Sequence, residues 1–224
     1  MKRKTVTAIL LTPIVLLVVG LATCATFASR NTSFEETLNS FVAKDEPGSE
    51  LKLFNGEDLS GWEVHGMGRW TVEEGVLRVK RGLGYLATRC DTFDDFILSL
   101  DIRVSEEGNS GVFFRAQDPG FGLRPWPEGH EAQVDNHDPK NPTGSIYDMV
   151  TAEPLLTKDN EWFEMEISAI GPHIEIRVNN ETVAEATDTT YKKGFIALQA
   201  HDPFCRVDFR EIVLRIPEST EDLR

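Results

Sequence analysis

From Leu51 onward the hydrophobic positions recur with a period close to two, in short runs separated by Gly, Asn, Asp and Pro. Only an extended chain turns successive side chains to opposite faces, so the pattern predicts strands. Phe96-Ile-Leu-Ser-Leu-Asp-Ile-Arg-Val is the cleanest case. Phe96, Leu98, Leu100, Ile102 and Val104 are expected in the core, with Ser99, Asp101 and Arg103 on the other face. Thr71-Val-Glu-Glu-Gly-Val-Leu-Arg-Val predicts two short strands around a Glu-Gly turn. Further strands are expected over 111–116, 131–136, 162–169, 173–178, 195–200 and 206–216, the last long enough to carry a bend. Asn179-Asn180 reads as a tight hairpin turn, because Asn tolerates a positive φ. With no helical stretch and no fixed-period repeat, the stretch 51–217 is predicted to be all-β, a sandwich of two packed antiparallel sheets.

The chain before Leu51 is patterned differently. Met1-Lys2-Arg3-Lys4 precedes an uncharged run from Thr5 to Ser29, rich in Leu, Val, Ile and Ala, which reads as a hydrophobic helix serving as export signal or membrane anchor over residues 1–29. Three fates are open to it. Leu21-Ala22-Thr23-Cys24 resembles a bacterial lipoprotein box, with Thr where Gly, Ala or Ser is expected. Cleavage after Ala28 and retention as a signal anchor, with the basic cluster on the cytoplasmic side, are the others. Each places the domain outside the cytoplasm, in the periplasm or at the cell surface, with the membrane touched through this segment only. Residues 30–50 read as a polar linker and 218–224 as an acidic tail.

Removing these ends from the 224 residues leaves about 170, enough for one core. A hydrophobic content of 40% and a charged content of 27% are those of a globular protein. The net charge of −14 argues against a nucleic-acid partner, which needs a concentrated positive surface. Of the three cysteines Cys24 lies in the leader, so the domain can hold at most the Cys90 to Cys205 disulfide, and there is no Cys-rich zinc site. No phosphate loop, nucleophile elbow or catalytic Cys/His spacing is present.

The chemistry lies on strand faces. Along His130-Glu131-Ala132-Gln133-Val134-Asp135-Asn136-His137, period two puts Glu131, Gln133, Asp135 and His137 on one side. Such a row of carboxylates, amide and imidazole suits sugar hydroxyls, and it equally describes a solvated edge strand. In Asn109-Ser110-Gly111-Val112-Phe113-Phe114-Arg115-Ala116, the core takes Val112, Phe114 and Ala116, leaving Phe113 and Arg115 together on the other face. That pair suits sugar stacking and oxyanion binding, or Arg115 simply neutralises a carboxylate such as Asp101 or Glu131. In Gly194-Phe195-Ile196-Ala197-Leu198-Gln199-Ala200-His201, the same logic groups Phe195, Gln199 and His201. His130, Glu131, Asp135, His137, Asp138 and His201 include the donor types of a divalent-metal site, at spacings that match no fixed motif.

Taken in order, several segments resemble the 3-keto-disaccharide hydrolase domain family, also called domain of unknown function 1080. They are Leu53-Phe54-Asn55-Gly56-Glu57-Asp58-Leu59-Ser60-Gly61-Trp62, Asn109 to Arg115, Glu131-x-Gln133-x-Asp135, Thr143-Gly144-Ser145-Ile146-Tyr147, Glu161-Trp162, Leu198-Gln199-x-His201 and Phe209-Arg210. The resemblance implies a concanavalin-like jelly roll acting on glycosides already oxidised to a ketone at C3. It implies Glu131, Asp135 and His201 as acid/base or metal-ligating groups, and Arg115, Gln133, Tyr147 and Gln199 as ligands of hydroxyls or of an enolate oxygen; Phe113 and His137 complete the expected sugar contacts. The partner expected is an oligosaccharide or glycoside, with a divalent metal ion as an open cofactor question. A noncatalytic carbohydrate-binding module and an anchored scaffold are the competing readings. Asn180, Phe163 and Glu211 depart from the family pattern, and the aromatic insertion from Phe121 to His130 is expected to reshape one wall of the site.

Overall fold

The computed structural model describes residues 47–120, 125–201 and 206–218. The leader, most of the linker, the acidic tail after Glu218, and Cys205 with its pairing lie outside the described residues. Thirteen strands, and no helix, make up the described part: β1 Glu50–Lys52, β2 Trp62–Gly66, β3 Arg69–Glu73, β4 Val76–Lys80, β5 Gly84–Thr88, β6 Phe96–Val104, β7 Asn109–Gln117, β8 Glu128–Asp135, β9 Phe163–Ile170, β10 His173–Val178, β11 Glu181–Thr187, β12 Phe195–Ala200 and β13 Arg206–Arg215. They form two antiparallel sheets. One runs β11-β10-β9-β6-β13-β4-β3 with β1 added beside β13; the other runs β2-β5-β12-β7-β8.

The predicted turns sit where the sequence puts them. Glu74 and Gly75 join β3 to β4 with φ of 54° and 76°, and Asn179 and Asn180 join β10 to β11 with φ of 50° and 68°, the doubly left-handed turn that matches the twist of a hairpin. The predicted faces of β6 hold: Phe96, Leu98, Leu100, Ile102 and Val104 are buried between the sheets against Val112, Phe114, Ile196 and Leu198. The bend in β13 is also real. Glu211, at φ 49°, interrupts the register with β6, and the strand pairs β4 before this bulge and β1 after it.

Several of the family-like segments turn out to be structural. Asn55 Oδ1 accepts the N–H groups of Glu57 and Asp58 at 2.8 and 3.0 Å, and the Trp62 indole donates to the Leu53 carbonyl at 2.7 Å, closing the opening loop. Arg210 lies 4.2 Å over the Trp162 ring while its Nε donates to Asp101, on the outer face of the larger sheet. Beside it Asp208, fully buried, accepts from Arg78, Arg103 and Arg206, and these bonds hold its carboxyl well below the usual range despite its burial.

Arg115 departs from expectation. In register, Ala197 faces Phe113 and Phe195 faces Ala116, so two residues of β7, Phe114 and Arg115, oppose one of β12. This bulge, with Arg115 at φ 49°, breaks the alternation: Ala116 joins Phe113 on the outer face and Arg115 turns away from it. Its guanidinium donates to the backbone carbonyls of Asp94 and Gly171, each at 2.8 Å, and to Asp95 Oδ1 at 3.1 Å, so it tethers two loops at one end of the sandwich. The bulge also accounts for Gly194, where a Cβ would stand 2.0 Å from the Ala116 carbonyl oxygen. The carboxylate partner of Arg115 is thus neither Asp101 nor Glu131.

Candidate functional site

The outer face of the five-stranded sheet carries a second, smaller cluster of Tyr85, Ala87, Phe113, Ala116, Phe195 and Ala197, with Trp126 packed on it. Tyr85 stacks against His65 at 4.5 Å and against Phe195 at 6.1 Å, and burial pushes its phenol up to about 12. An apolar, ring-lined floor is what a pyranose face packs on. At its margin Phe113, Trp126, Glu131, Tyr147, Met149 and Tyr191 are among the residues lining a cavity of about 240 Å3.

Glu131 is the polar centre of this face. It stands opposite Phe113 in the register of β7 and β8, and its side chain leans back over β7 above Gly111, where any Cβ would lie 2.0 Å from Oε1. Having crossed that bare position, Oε1 accepts from Gln199 Nε2 of β12 at 3.0 Å. The carboxyl retains a window onto the cavity but is otherwise enclosed by protein. Burial, and secondarily the charge of Asp148, raise it from the ordinary carboxylate range to about 8, while the Gln199 bond opposes the rise. Gln199 Oε1 is itself buried without a partner, so one acceptor remains for a ligand.

Tyr147 arrives through the Thr143-Gly-Ser-Ile-Tyr segment. Gly144 donates to the Gln133 carbonyl, Gln133 to that of Ser145 and Tyr147 to that of Glu131, each at 2.9 Å, so the segment seals the edge of β8. Gly144 is required there: its φ is 94°, and a Cβ would press on Val183 at 2.7 Å. The Tyr147 side chain is left exposed at the cavity, its phenol raised first by burial and then by Asp148 and Glu131.

Gln133 shares the Glu131 side of β8 and is buried. His201 follows β12 and stacks on Trp126 at 5.3 Å and 9°, so it reaches the cavity through that indole. Asp135 and His137 do not gather with them. Asp135 is four residues along the strand from Glu131, about 13 Å away. Its Oδ1 accepts the N–H groups of His137 and Asp138 at 2.8 and 3.1 Å and so shapes the turn. His137 extends into solvent against Asp159 at 2.8 Å, and that carboxylate raises its pKa.

Among the described residues, the group of acidic and histidine side chains whose donor atoms lie within 4.8 Å of one another is His173, Glu175 and Glu185, on β10 and β11 of the other sheet, and it includes none of the predicted metal-ligating residues. Trp126 lies in the insertion expected to form a wall. Gly111, His65, Tyr85, Asp188 and Tyr191 were not singled out from sequence. For Gly111 the signal was its place in the Asn-Ser-Gly motif one strand from Glu131.

Fold and face together define a two-sheet jelly roll with an acidic, ring-floored cavity on one outer face. The comparisons agree on the fold. A proposed glycosyl hydrolase from Parabacteroides distasonis superposes with a TM-score of 0.63 at 23% identity, covering 75% of this chain and 98% of that one. The carbohydrate-binding module CBM66 from Bacillus subtilis superposes with a TM-score of 0.53 at 17% identity, over 69% of this chain and 95% of that one. The chain belongs to the 3-keto-alpha-glucoside-1,2-lyase-like domain family, whose profile matches residues 50–215. A 3-keto-disaccharide hydrolase from Bacteroides thetaiotaomicron is 29% identical over 166 residues, covering 60% of this chain and 57% of the relative, so the chain spans little more than half the length of that protein.

Proposed function

We propose that the protein cleaves the glycosidic bond of 3-keto-glycosides outside the cytoplasm, with Glu131 as the base. The observation that carries this reading is the pairing of Glu131, raised to about 8, with Gln199 at the edge of a ring-floored cavity. A ketone at C3 acidifies the proton on C2. Glu131 takes that proton; the electron pair forms the C2–C3 enolate, whose oxygen accepts from Tyr147 or from the Gln199 amide. The enolate then expels the C1 substituent, which leaves as an alcohol on gaining a proton, and water adding across the new C1–C2 double bond completes a net hydrolysis. The carboxylate pair of an ordinary glycosidase is not needed for this route. His201, held by Trp126, is the proton donor to the leaving oxygen in this scheme.

A noncatalytic sugar-binding module is the second reading, favoured by the stacked His65, Tyr85 and Phe195 rings on the same face. Incubating the purified protein with a 3-keto-disaccharide, with and without chelator, and following products by chromatography separates the two. Consumption that disappears in Glu131→Gln supports the enzyme; saturable binding without consumption supports the module.

A further inference from the structure

His130 and Glu131 are neighbours that face opposite ways, yet both line the 240 Å3 cavity, because β8 is the edge strand and the cavity wraps around that edge. The Thr143 to Tyr147 segment seals the edge from Asp135 as far as Glu131. Beyond it, His130 looks toward Asp188 and Tyr191.

His130 is 3% exposed, packed between the rings of Phe114 and Tyr191. It hydrogen-bonds the Tyr191 backbone, while Nε2 is buried with no hydrogen-bond partner, so the Tyr191 bond belongs to Nδ1. Nε2 instead stands 3.4 Å from Asp188 Oδ1. That carboxylate is fixed: Oδ1 accepts the Thr190 N–H at 2.7 Å and Oδ2 the Thr190 hydroxyl at 3.1 Å. Burial above all, and the charge of Arg115, favour the neutral imidazole, against Asp188. With its one proton committed to the Tyr191 carbonyl, the neutral ring presents a bare lone pair to a carboxylate oxygen. Two fixed acceptors with no proton between them are an unfinished hydrogen-bond site, and buried acceptors of this kind are normally satisfied.

Two O–H donors on adjacent carbons would complete it. We propose that His130 and Asp188 form a subsite for a vicinal diol of the saccharide, one hydroxyl donating to Nε2 and its neighbour to Oδ1, with Trp126 and Tyr191 as flanking walls. The subsite lies around the strand edge from Glu131, so the diol belongs to the ring that departs. This rests on the reading of Glu131 as the base, and it makes the protein selective for disaccharides over glycosides with a small aglycone.

The test compares the full-length wild type with His130→Phe on a 3-keto-disaccharide and on the matching methyl 3-keto-glucoside. KM for the disaccharide should rise about ten-fold, the scale of one lost hydrogen bond, with kcat and all constants for the methyl glycoside unchanged. Equal effects on both substrates, or none on either, overturn the subsite. In a second measurement independent of the variant's folding, the Nε2 resonance of His130 in 15N-histidine-labelled wild type should show a neutral ring and shift on adding the disaccharide; a protonated ring that does not respond overturns the proposal. If the wild type turns over neither substrate, the catalytic reading fails by itself. Titration with the unmodified disaccharide then decides the subsite: weaker binding by His130→Phe supports it, and equal or absent binding overturns it.

Discussion

The side-chain amide of Gln199 donates to Glu131 at 3.0 Å across the full width of an intervening strand, over a position occupied by glycine. The carboxyl is thereby held in one place above the sheet by residues of three different strands: Glu131 supplies the carboxyl, Gln199 orients it and Gly111 leaves it room.

Removing the carboxyl isolates its contribution. Glu131→Gln keeps the shape and the proximity to Gln199 but has no basic oxygen, so turnover of a 3-keto-disaccharide should fall between about 10²- and 10⁴-fold. Product formation measured at saturating substrate checks this, and unchanged kcat would remove Glu131 from the chemistry.

Gly111→Ala tests the crossing. A Cβ at that position collides only with the end of a flexible side chain, so the fold should survive with a stability change within about 1 kcal/mol. Glu131 must move off its position, however, and kcat should drop at least ten-fold, since small displacements of a catalytic group are costly. Paired thermal melts and turnover assays read both halves.

The raised value of Glu131 has two consequences in pH. As a base it works only when ionised, so kcat/KM should climb with pH and level off above about 8. For stability the sign is opposite: the folded protein holds this proton more tightly than the unfolded chain, so Glu131 costs stability as pH rises from the ordinary carboxylate range to about 8, and the cost stays constant beyond. Glu131→Gln should therefore melt higher than wild type at pH 9, with the difference shrinking toward pH 5.

Arg115 should matter for folding more than for sugar contact. Arg115→Met leaves the Asp94 and Gly171 carbonyls without their donor and should lower unfolding free energy by about 2 to 4 kcal/mol. Denaturant titration measures it; below the shifted transition the variant should keep the wild-type KM.

Asp208 offers an acid-side test. Its folded value is depressed, so its contribution is complete above the ordinary carboxylate range and is lost as pH falls below it. Asp208→Asn should destabilise by about 2 to 3 kcal/mol at pH 7, because three arginines lose a shared charge, and the gap to wild type should close on acidification.

Much was legible along the chain because period two is a local signal. It assigned the core side of β6, the shared side of Glu131 and Gln133, and the outward facing of Gln199, and the Asn-Asn and Glu-Gly pairs marked their turns through backbone preference alone. The same rule failed at Arg115, since a bulge is decided by the partner strand and by the loops that capture the guanidinium. It also grouped Asp135 and His137 with Glu131, because alternation records a side of the strand and not a position along it.

The amino-acid order by itself settled nine of the thirteen described strands, the Glu-Gly and Asn-Asn turns, and the inward side of β6, β8 and β12, while β1, β2, β5 and β11 went unread. Tertiary structure alone decided that β8 is an edge, that Gly111 lies under Glu131, that Trp126 meets His201 and that His130 faces Asp188. The physical reason is range: side-chain alternation and turn propensity act within a few residues, whereas these contacts join residues from 20 to 75 positions apart, and they form only when two sheets have packed and chosen their neighbours.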